Sequence, residues 1–400
     1  MRHICVLGLG YIGLPTVITL VGAGFSVCGV DIRQDLIDNL YAGRLSMEEP
    51  GLSEAFANAR ATGRLSLSSA VPESEAFIIT VQTPFKVRAD GVAEAELCFV
   101  ESAARSIARV LRPGNLVVLE STVPPGTCRR LEDILSELSG LSKDIFYVAH
   151  CPERVIPGRI LQELRDNDRI IGARTRKALD LARDIYGPVM VNGKPRLTDD
   201  LTAELCKLVE NTFRDINIAY ANELSIVAGK LGVDVFKLIE LANCHPRVDI
   251  LNPGVGVGGH CIAVDPWFIH SLLPDSTSLI ACARKVNDHK PHYVAQTVAA
   301  SLPAGARICV LGLSYKPDID DLRQSPSLTM CRDLRARGFC VSACEPHVRR
   351  DVIEGFANLS LEKALEEEYL ILSVGHTIFK DNRDRIAARP HFDCVGIIRR

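Results

Sequence analysis

The sequence predicts an α/β protein with two doubly wound domains joined by a long central helix. In the first and the last part of the chain, short β-branched runs alternate with helical patterns, which is typical of a parallel sheet covered on both faces. Between them, from residue 198 to about residue 230, lies a proline-free stretch of helix-forming composition with a stop signal at Gly232. The middle of the chain is therefore expected to be one long helix.

The strands are expected where apolar and β-branched residues form short runs. In the first part of the chain these runs are 3–7, 26–30, 76–80, 116–119 and 146–149. In the last part they are 307–313, 339–346, 369–376 and 394–398, with a helix at 327–337. We expect three domains, at 1–195, 196–295 and 296–400.

Composition restricts the class of partner. The 400 residues carry a formal net charge of -3, with 47% hydrophobic and 24% charged residues, which points to neither nucleic acid nor an anionic membrane as a partner. The chain begins in a strand pattern without a secretory signal, and no apolar run is long enough to cross a bilayer, so we expect a cytoplasmic protein. The 14 cysteines include no C-x-x-C pair, so most are expected to be reduced and buried, and no metal site is predicted.

A glycine-rich turn follows the first predicted strand. Gly8, Gly10 and Gly13 form a G-x-G-x-x-G pattern that opens a predicted helix, the arrangement in which a pyrophosphate meets the helix N-terminus. Asp31 ends the next strand, where a carboxylate accepts hydrogen bonds from an adenosine ribose and repels a 2′-phosphate. The first domain is therefore expected to be Rossmann-like and to prefer NAD over NADP, a preference that Arg33 weakens slightly. The alternative is a glycine-rich turn that binds no ligand.

A second glycine-rich segment, residues 252–266, contains a cysteine. Its four glycines allow backbone N–H groups to approach a ligand closely, and Cys261 follows them. A thiolate there would attack an aldehyde, lose hydride and become a thioester that water hydrolyses, which converts an alcohol to an acid. The alternative is a buried structural cysteine. His260 is not assigned as a base, because neighbouring residues in a tight loop usually point apart.

Three polar residues of the predicted long helix share one face. Lys207, Asn211 and Arg214 are spaced four and three apart. Lys207 would stabilise an oxyanion or take part in proton transfer, and Asn211 would hold a water molecule or a developing alkoxide. The alternative is a solvated polar stripe.

These segments together closely resemble the UDP-glucose/GDP-mannose dehydrogenase family, and the resemblance runs through nearly the whole chain. The motifs occur in the family's order: GLGYIGLP at 8–15, QTPF at 82–85, STVPPGT at 121–127, CPERVIPG at 151–158, KLVENTFRDINIAYANE at 207–223, GVGGHCIAVDP at 256–266 and GLSYKPDIDDLRQSP at 312–326. The resemblance implies an NAD-dependent enzyme that oxidises the C6 alcohol of a nucleotide sugar to a carboxylate. It also implies that the last domain holds the nucleotide half of the substrate.

The resemblance implies roles for individual residues. The catalytic set would be Cys261 as nucleophile, Lys207 as acid/base or oxyanion-stabilising group, Asn211 and Asp265 as its supports, and Glu153 and Thr122 close to the hydrolytic water. The cofactor residues would be Gly8, Gly10, Tyr11, Ile12, Gly13, Asp31, Arg33, Thr83, Thr122 and Arg323. The sugar nucleotide would contact Arg154, Val155, Lys207, Asn211, Arg214, His245, Arg247, Gly258, Tyr315 and Lys316.

The resemblance further implies an assembly and a substrate. The family dimerises through the long central helix, so a homodimer is expected, with the segment around His245 and Arg247 offered to the neighbouring subunit's site. His260 and Val264 stand where the glucose enzymes commonly carry serine and lysine, and the segment 283–291 is similar to the branch that acts on UDP-N-acetylmannosamine. That sugar nucleotide is the expected substrate, with UDP-N-acetylglucosamine and UDP-glucose as alternatives.

Two other classes of protein compete with this interpretation. A two-electron β-hydroxyacid dehydrogenase shares the glycine-rich start and a helix with lysine and asparagine, but it needs no cysteine nucleophile and forms one NADH per substrate rather than two. A non-catalytic protein that binds NAD or a sugar nucleotide would keep the fold without turnover.

Overall fold

A computed structural model describes residues 2–47, 49–89 and 92–398. The chain divides into two compact units, Met1–Val209 and Glu210–Arg400, called unit 1 and unit 2 below. Among the helices of the described ranges, none is both long enough and apolar enough to cross a membrane.

Unit 1 carries a mainly parallel sheet with helices on both faces. Its strands are β1 (His3–Leu7), β2 (Ser26–Val30), β3 (Leu65–Ser68), β4 (Ala76–Ile79), β5 (Phe85–Val87), β6 (Ala93–Ala95), β7 (Leu116–Leu119), β8 (Tyr147–His150), β9 (Arg169–Gly172) and β10 (Pro195–Thr198). Its helices are α1 (Gly13–Gly22), α2 (Gln34–Tyr41), α3 (Leu52–Ala61), α4 (Cys98–Ala108), α5 (Thr127–Ser139), α6 (Ile160–Asp166) and α7 (Arg176–Tyr186). The sheet order is β10-β9-β8-β7-β4-β1-β2-β3, and β5 pairs with β6 in a separate hairpin.

The central strand β1 is apolar on both faces. Ile4 and Val6 belong to the core formed with α1, α2, α3 and α7, whereas Cys5 and Leu7 belong to the core formed with α4 and α5. A strand buried on both faces carries such a continuous apolar run. Because β2 lies on one side of β1 and β4 on the other, the chain reverses direction across the sheet at β1, where doubly wound folds place their ligand crevice.

The long helix expected from the sequence is present. Helix α8 (Asp200–Leu231) has 32 residues and is followed by Gly232 at a φ of 70°. Glycine adopts this left-handed conformation at little cost, which ends the helix where the sequence predicted it. Helix α8 begins in unit 1 and ends in unit 2.

Unit 2 contains a second, smaller parallel sheet. Its helices after α8 are α9 (Val235–Ala242), α10 (Asp265–Leu272), α11 (Ser278–Ala299), α12 (Pro326–Ala336), α13 (Leu361–Ala364), α14 (Thr377–Asp381) and α15 (Arg383–Ala387). Its strands are β11 (Arg307–Leu311), β12 (Cys340–Cys344), β13 (Val352–Ile353), β14 (Phe356–Ala357), β15 (Tyr369–Leu372) and β16 (His391–Asp393). The parallel sheet has the order β12-β11-β15-β16, so β11 is the central strand.

The fold class predicted from the sequence is confirmed, but one predicted strand is wrong. The last strand is β16, and residues 394–398, which were expected to form it, lie beyond it. The carboxylate of Asp393 accepts the N–H groups of Val395, Gly396 and Ile398 at 3.0, 2.7 and 2.9 Å. These bonds wrap the chain into a turn, so its apolar residues pack without continuing the sheet.

Candidate active site

The turn after β1 brings the backbone close to where a ligand binds in doubly wound folds. Gly8 has a φ of 96°, and its N–H donates to the carbonyl oxygen of Val30 at 2.8 Å. A Cβ on Gly13 would lie 1.7 Å from the carbonyl oxygen of Gly8, whereas a Cβ on Gly10 would meet no atom within 4 Å. Gly13 is therefore required for packing α1 against the turn, and the open space at Gly10 fits a pyrophosphate.

Thr80 fixes this turn and was not among the residues singled out from the sequence. Its Oγ1 lies 2.9 Å from the carbonyl oxygen of Leu7 and 2.8 Å from that of Gly8. A Cβ on Gly13 would also come within 2.5 Å of the same hydroxyl. Since Thr80 directly follows β4, the neighbour of β1 in the sheet, only the strand order reveals its role.

Asp31 is held at the carboxyl end of β2. Its Oδ2 accepts the N–H of Leu9 at 2.9 Å, and its Oδ1 accepts the N–H of Arg33 at 3.0 Å. The guanidinium Nε of Arg33 lies 3.7 Å from Oδ1, and the Asp31 side chain is 12% exposed. A carboxylate offers about four acceptor positions, so capacity remains for ribose hydroxyls. This arrangement fits NAD.

The other expected cofactor residues differ in exposure. Tyr11 is 48% exposed, Ile12 is half-buried at the start of α1, and Thr122 is half-buried after β7. The Oγ1 of Thr83 is buried and has no hydrogen-bond partner among the described residues. A buried hydroxyl without a protein partner is consistent with a ligand contact.

Glu153 follows β8 and is held on both of its carboxylate oxygens. Oε1 accepts the N–H of Arg154 at 2.6 Å, and Oε2 accepts from Nη2 of Arg169 at 2.6 Å. The Arg154 guanidinium donates to the carbonyl oxygen of Asp168. Val155 is half-buried beside them. The hydrogen bonds to both of its oxygens therefore fix the orientation of the Glu153 carboxylate.

The expected polar face of α8 is present. Lys207 is half-buried, Asn211 is buried and Arg214 is exposed along the same helix. The Nδ2 of Asn211 donates to Oδ2 of Asp265 at 2.6 Å. Asp265 is 4% exposed at the start of α10. Asn211 and Asp265, which the resemblance to the family places in one catalytic set, are thus in direct contact.

The loop that carries Cys261 packs closely against another segment of unit 2. A Cβ on Gly258 would lie 2.6 Å from the carbonyl oxygen of Gln324, and a Cβ on Gly259 would lie 2.9 Å from the Tyr315 ring. Cys261 itself is exposed. The alternative of a buried structural cysteine is therefore excluded for this position, and an accessible thiol suits a nucleophile.

A buried hydrogen-bond chain supports the loop before Cys261. The Oδ1 of Asn222 accepts the N–H of Gly254 at 2.8 Å, and its Nδ2 donates to Oδ1 of Asn287 at 2.9 Å. Asn287 Nδ2 donates to Oδ1 of Asp215 at 2.8 Å, which also accepts from Nη1 of Arg284 at 2.5 Å. Part of the segment 283–291, noted above for its resemblance to one branch of the family, thus holds the nucleophile loop on α8.

The remaining expected contacts lie on two segments of unit 2. Arg323 is paired with Asp321, and Nη2 lies 2.5 Å from Oδ2. Partial burial, together with the nearby positive charge of Arg323, lowers the pKa of His260. Tyr315 and Lys316 are half-buried, whereas His245 and Arg247 are exposed after α9.

A group of three residues in the described ranges has the spacing of cation ligands. Atoms of Asp318, His347 and His376 lie within 4.8 Å of one another. However, Nδ1 of His376 accepts the N–H of Asp318 at 2.9 Å, and Nε2 lies 3.1 Å from Oε2 of Glu345. Both nitrogens of this buried ring are engaged within the protein, so we assign no metal to the group.

Models of protein families match the chain in three segments. The model of the UDP-glucose/GDP-mannose dehydrogenase NAD binding domain matches residues 2–190, that of the central domain matches 201–289, and that of the UDP binding domain matches 309–400. The chain belongs to the UDP-glucose/GDP-mannose dehydrogenase family. The resemblance inferred from the sequence is thereby confirmed, and the protein is an NAD-dependent oxidoreductase.

Individual members of the family are similar over nearly their full length. The NDP-N-acetyl-D-galactosaminuronic acid dehydrogenase of Ralstonia nicotianae is 45% identical, covering 99% of this chain and 96% of its own. The UDP-N-acetyl-D-mannosamine dehydrogenase of Campylobacter jejuni is 46% identical, covering 87% of this chain and 88% of its own. The solved UDP-D-ManNAc dehydrogenase of Pyrococcus horikoshii is 40% identical with a TM-score of 0.90, covering 99% of this chain and 96% of its own.

Membership in this dehydrogenase family displaces one competing interpretation. A two-electron β-hydroxyacid dehydrogenase shares the glycine turn, but the three family models together account for both the cysteine loop and the second sheet. Sequence reasoning missed Thr80, Arg169 and Asn222, which contact the expected residues rather than a ligand. Asn222 lies within the family motif at 207–223, but no local pattern marks its role or the roles of Thr80 and Arg169, because their partners are far away in the sequence.

Proposed function

We propose that this dehydrogenase oxidises C6 of UDP-N-acetyl-D-mannosamine to a carboxylate and forms UDP-N-acetyl-D-mannosaminuronate. The observation that carries the proposal is the exposed Cys261 at the end of a glycine loop that is fixed from both sides, by Asn222 at Gly254 and by Asn211 at Asp265. A fixed, accessible thiol is what covalent capture of an aldehyde requires. The name of the Campylobacter jejuni relative supports the substrate.

The proposed reaction removes four electrons from C6 in two oxidations. Bound NAD⁺ would supply the hydride acceptor for each of them. In the first, the hydroxyl loses a proton and C6 loses a hydride, which leaves an aldehyde. The Sγ thiolate of Cys261 then forms a bond to C6, and the resulting thiohemiacetal loses a second hydride to become a thioester. Water adds to C6, the C–S bond breaks with its electron pair returning to Sγ, and the carboxylate is released.

The proposed roles follow the chemistry of each side chain. Lys207 stabilises the oxyanion that forms at C6, and Asn211 holds the same oxygen while Asp265 orients the amide. Glu153 and Thr122 orient the hydrolytic water. Acceptors and donors fixed in advance stabilise charge in a transition state more than mobile ones do.

We also propose which residues bind the sugar nucleotide. Arginine and lysine side chains suit a diphosphate, which favours Arg154, Arg214 and Lys316 as its contacts. Tyr315, Val155 and Gly258 would contact the remainder of the sugar nucleotide, with His245 and Arg247 supplied by the second subunit.

We also propose that the chain divides into three domains, at 1–195, 196–295 and 296–400.

A homodimer formed through α8 is part of the proposal. Val209, Phe213, Tyr220, Val227 and Leu231 are 49, 64, 53, 47 and 72% exposed on this helix. Their spacings of four and seven residues place them on one stripe, opposite the face of Asn211 and Asp215. An exposed apolar stripe of this length favours association with a second copy.

The dimer is tested by light scattering coupled to size exclusion. Phe213→Glu is expected to shift the protein towards monomer, because it places a charge on the apolar stripe. Val87→Glu is the matched control, since Val87 is 63% exposed and belongs to β5 rather than to α8. A Phe213→Glu protein with the mass of the wild type would contradict this assembly.

The Ralstonia nicotianae relative favours a second candidate substrate, an NDP-N-acetyl-D-galactosamine. Purified protein should therefore be given UDP-N-acetylmannosamine, UDP-N-acetylgalactosamine, UDP-N-acetylglucosamine and UDP-glucose with NAD⁺. The proposal predicts the highest kcat/KM, and a uronate product identified by mass, with UDP-N-acetylmannosamine. A higher kcat/KM with the galactosamine nucleotide would replace the substrate but keep the reaction, and the absence of any carboxylate product would overturn both.

A further inference from the structure

A buried ion network lies behind Glu153 within unit 1. Arg169, the first residue of β9, is 6% exposed, and its Nη2 donates to Oε2 of Glu153 at 2.6 Å. Its Nη1 donates to Oε1 of Glu120 at 3.2 Å. One buried guanidinium therefore binds two carboxylates, and only one of them belongs to the proposed catalytic set.

Glu120 is in turn fixed by side chains of other elements. The hydroxyl of Tyr186 in α7 donates to its Oε1 at 2.7 Å, and the hydroxyl of Thr16 in α1 donates to its Oε2 at 3.3 Å. The Arg169 guanidinium lies over the Tyr186 ring, 4.6 Å from the centroid. Burial raises the pKa of Glu120, although Arg169 opposes this shift. The guanidinium is thus held in place by a ring below it and a carboxylate beside it.

We propose that Arg169 is a positioning residue for hydrolysis of the thioester. It holds Glu153 so that the carboxylate accepts a hydrogen bond from the attacking water. As the water oxygen binds C6 and the C–S bond breaks, the water proton passes to Glu153 and then to solvent. Arg169 stays protonated throughout, since guanidinium does not lose its proton in proteins. This inference rests on the proposed function.

The test separates hydrolysis from the two oxidations. Arg169→Lys keeps the charge but loses the planar fork that reaches both carboxylates at once. In rapid-mixing experiments this variant should retain a first burst of two NADH per subunit, while its steady-state rate falls on the order of 10²-fold. Quenched samples should then carry covalently bound sugar on Cys261, measured by intact mass, at a higher fraction than the wild type.

Two controls define the readout. Arg174→Lys alters an exposed arginine whose Nη1 lies 2.7 Å from Oε2 of Glu132, and it should behave as wild type. Glu153→Gln should accumulate the same adduct as Arg169→Lys. If Arg169→Lys does not fold because Glu120 loses its partner, the double variant with Glu120→Gln removes that buried charge, and the same accumulation is expected.

The outcomes distinguish this inference from the function on which it rests. Adduct accumulation in both Arg169→Lys and Glu153→Gln, with the burst retained, supports the positioning role. Accumulation in Glu153→Gln alone overturns the role of Arg169 and leaves the proposed function standing. Absence of an adduct in Glu153→Gln overturns the assignment of Glu153, and with it this inference.

Discussion

The turns that follow the central strands of the two sheets share one backbone design. Gly8 after β1 has a φ of 96°, and Gly312 after β11 has a φ of 90°. Each donates its N–H to the last residue of the neighbouring strand, Gly8 to Val30 at 2.8 Å and Gly312 to Cys344 at 2.9 Å. In both units an acidic residue comes next after that strand.

The acidic residues have different surroundings. Asp31 accepts the N–H of Leu9 on Oδ2 and that of Arg33 on Oδ1, and its side chain is 12% exposed. Glu345 accepts the corresponding N–H, from Leu313, at 2.7 Å, receives the buried His376 at 3.1 Å, and has a side chain that is 0% exposed. The same turn therefore leaves an acceptor for a ribose in unit 1 and closes it in unit 2. The acidic residue of such a turn can therefore bind a ribose only where it has acceptor positions left, and a nucleotide held by unit 2 would have to be bound by other groups.

The largest effect is expected from Gly13→Ala. The new Cβ would overlap the carbonyl oxygen of Gly8, so the turn must move, at a cost of about 1–3 kcal/mol or more. We expect a lower melting temperature together with loss of NAD binding by calorimetry. Gly10→Ala is the matched control: it has free space in the protein, so it should lose NAD affinity with an unchanged melting temperature. Equal melting temperatures for both variants would contradict this account of the turn.

Exchanging the two acids for amides should separate binding from stability. Asp31→Asn should weaken NAD binding and lower the free energy of unfolding by less than Glu345→Gln does. Glu345→Gln should lower it by about 1–3 kcal/mol and leave NAD binding unchanged. Burial alone would raise the pKa of Glu345, but the bonds from His376, Leu313 and Ser314 outweigh it and lower the pKa. Its contribution is therefore present above the unfolded pKa of about 4.3 and is lost as pH falls through the lower folded value. Denaturant titrations at pH 7, and at a series of lower values that extends well below pH 4, check this loss. Reversed effects of the two substitutions would contradict the comparison.

Loss of the hydrogen bonds that support the nucleophile loop should lower kcat more than it weakens the binding of NAD⁺. Asn222→Ala removes the acceptor of the Gly254 N–H and the donor to Asn287, which leaves two buried polar groups unpaired. We expect kcat to fall about tenfold or more, because small misplacements of a reacting group are costly, with KM for NAD⁺ unchanged. Lys230→Ala, an exposed residue on the same helix, is the control. A loss of NAD⁺ affinity in Asn222→Ala would instead indicate damage that reaches the glycine turn of unit 1.

At neutral pH the smallest effect comes from a second buried histidine, because its contribution changes only below about pH 6.5. His150 ends β8 and is fully buried, and burial lowers its pKa to about 3. Its ordinary value is about 6.5, so the unfolded chain takes up a proton before the folded one does. The contribution of His150 to the free energy of unfolding is fully present above about pH 6.5. It should decline by about 1.4 kcal/mol per pH unit as the pH falls towards 3. In His150→Gln, this part of the dependence of the free energy of unfolding on pH should disappear. An unchanged dependence would show that His150 does not cause it.

Much of the fold was readable from the sequence because it depends on local patterns. Five of the unit 1 strands and helix α8 were expected close to their observed bounds, since apolar periodicity and glycine stop signals are local. The strand expected at 394–398 failed because the side chain of Asp393 binds three backbone N–H groups and turns the chain. The pattern of apolar residues does not encode such a competing side-chain bond.

The site was readable only in part. The glycines, Asp31 and Cys261 lie within recognisable motifs, so the sequence points to them directly. Thr80 and Arg169 act on partners that are 72 and 16 residues away, and the contacts depend on which strands are neighbours. The sequence therefore identifies the residues that would contact a ligand. It does not identify equally well the residues that hold them in place.

The central claim is that Cys261 carries a four-electron oxidation, and counting NADH per sugar nucleotide consumed tests it most directly. The account predicts two NADH with the wild-type protein and loss of complete turnover in Cys261→Ser, because a serine hydroxyl is a far weaker nucleophile than a thiolate. One NADH per substrate, or a Cys261→Ser protein that still forms two, would contradict it.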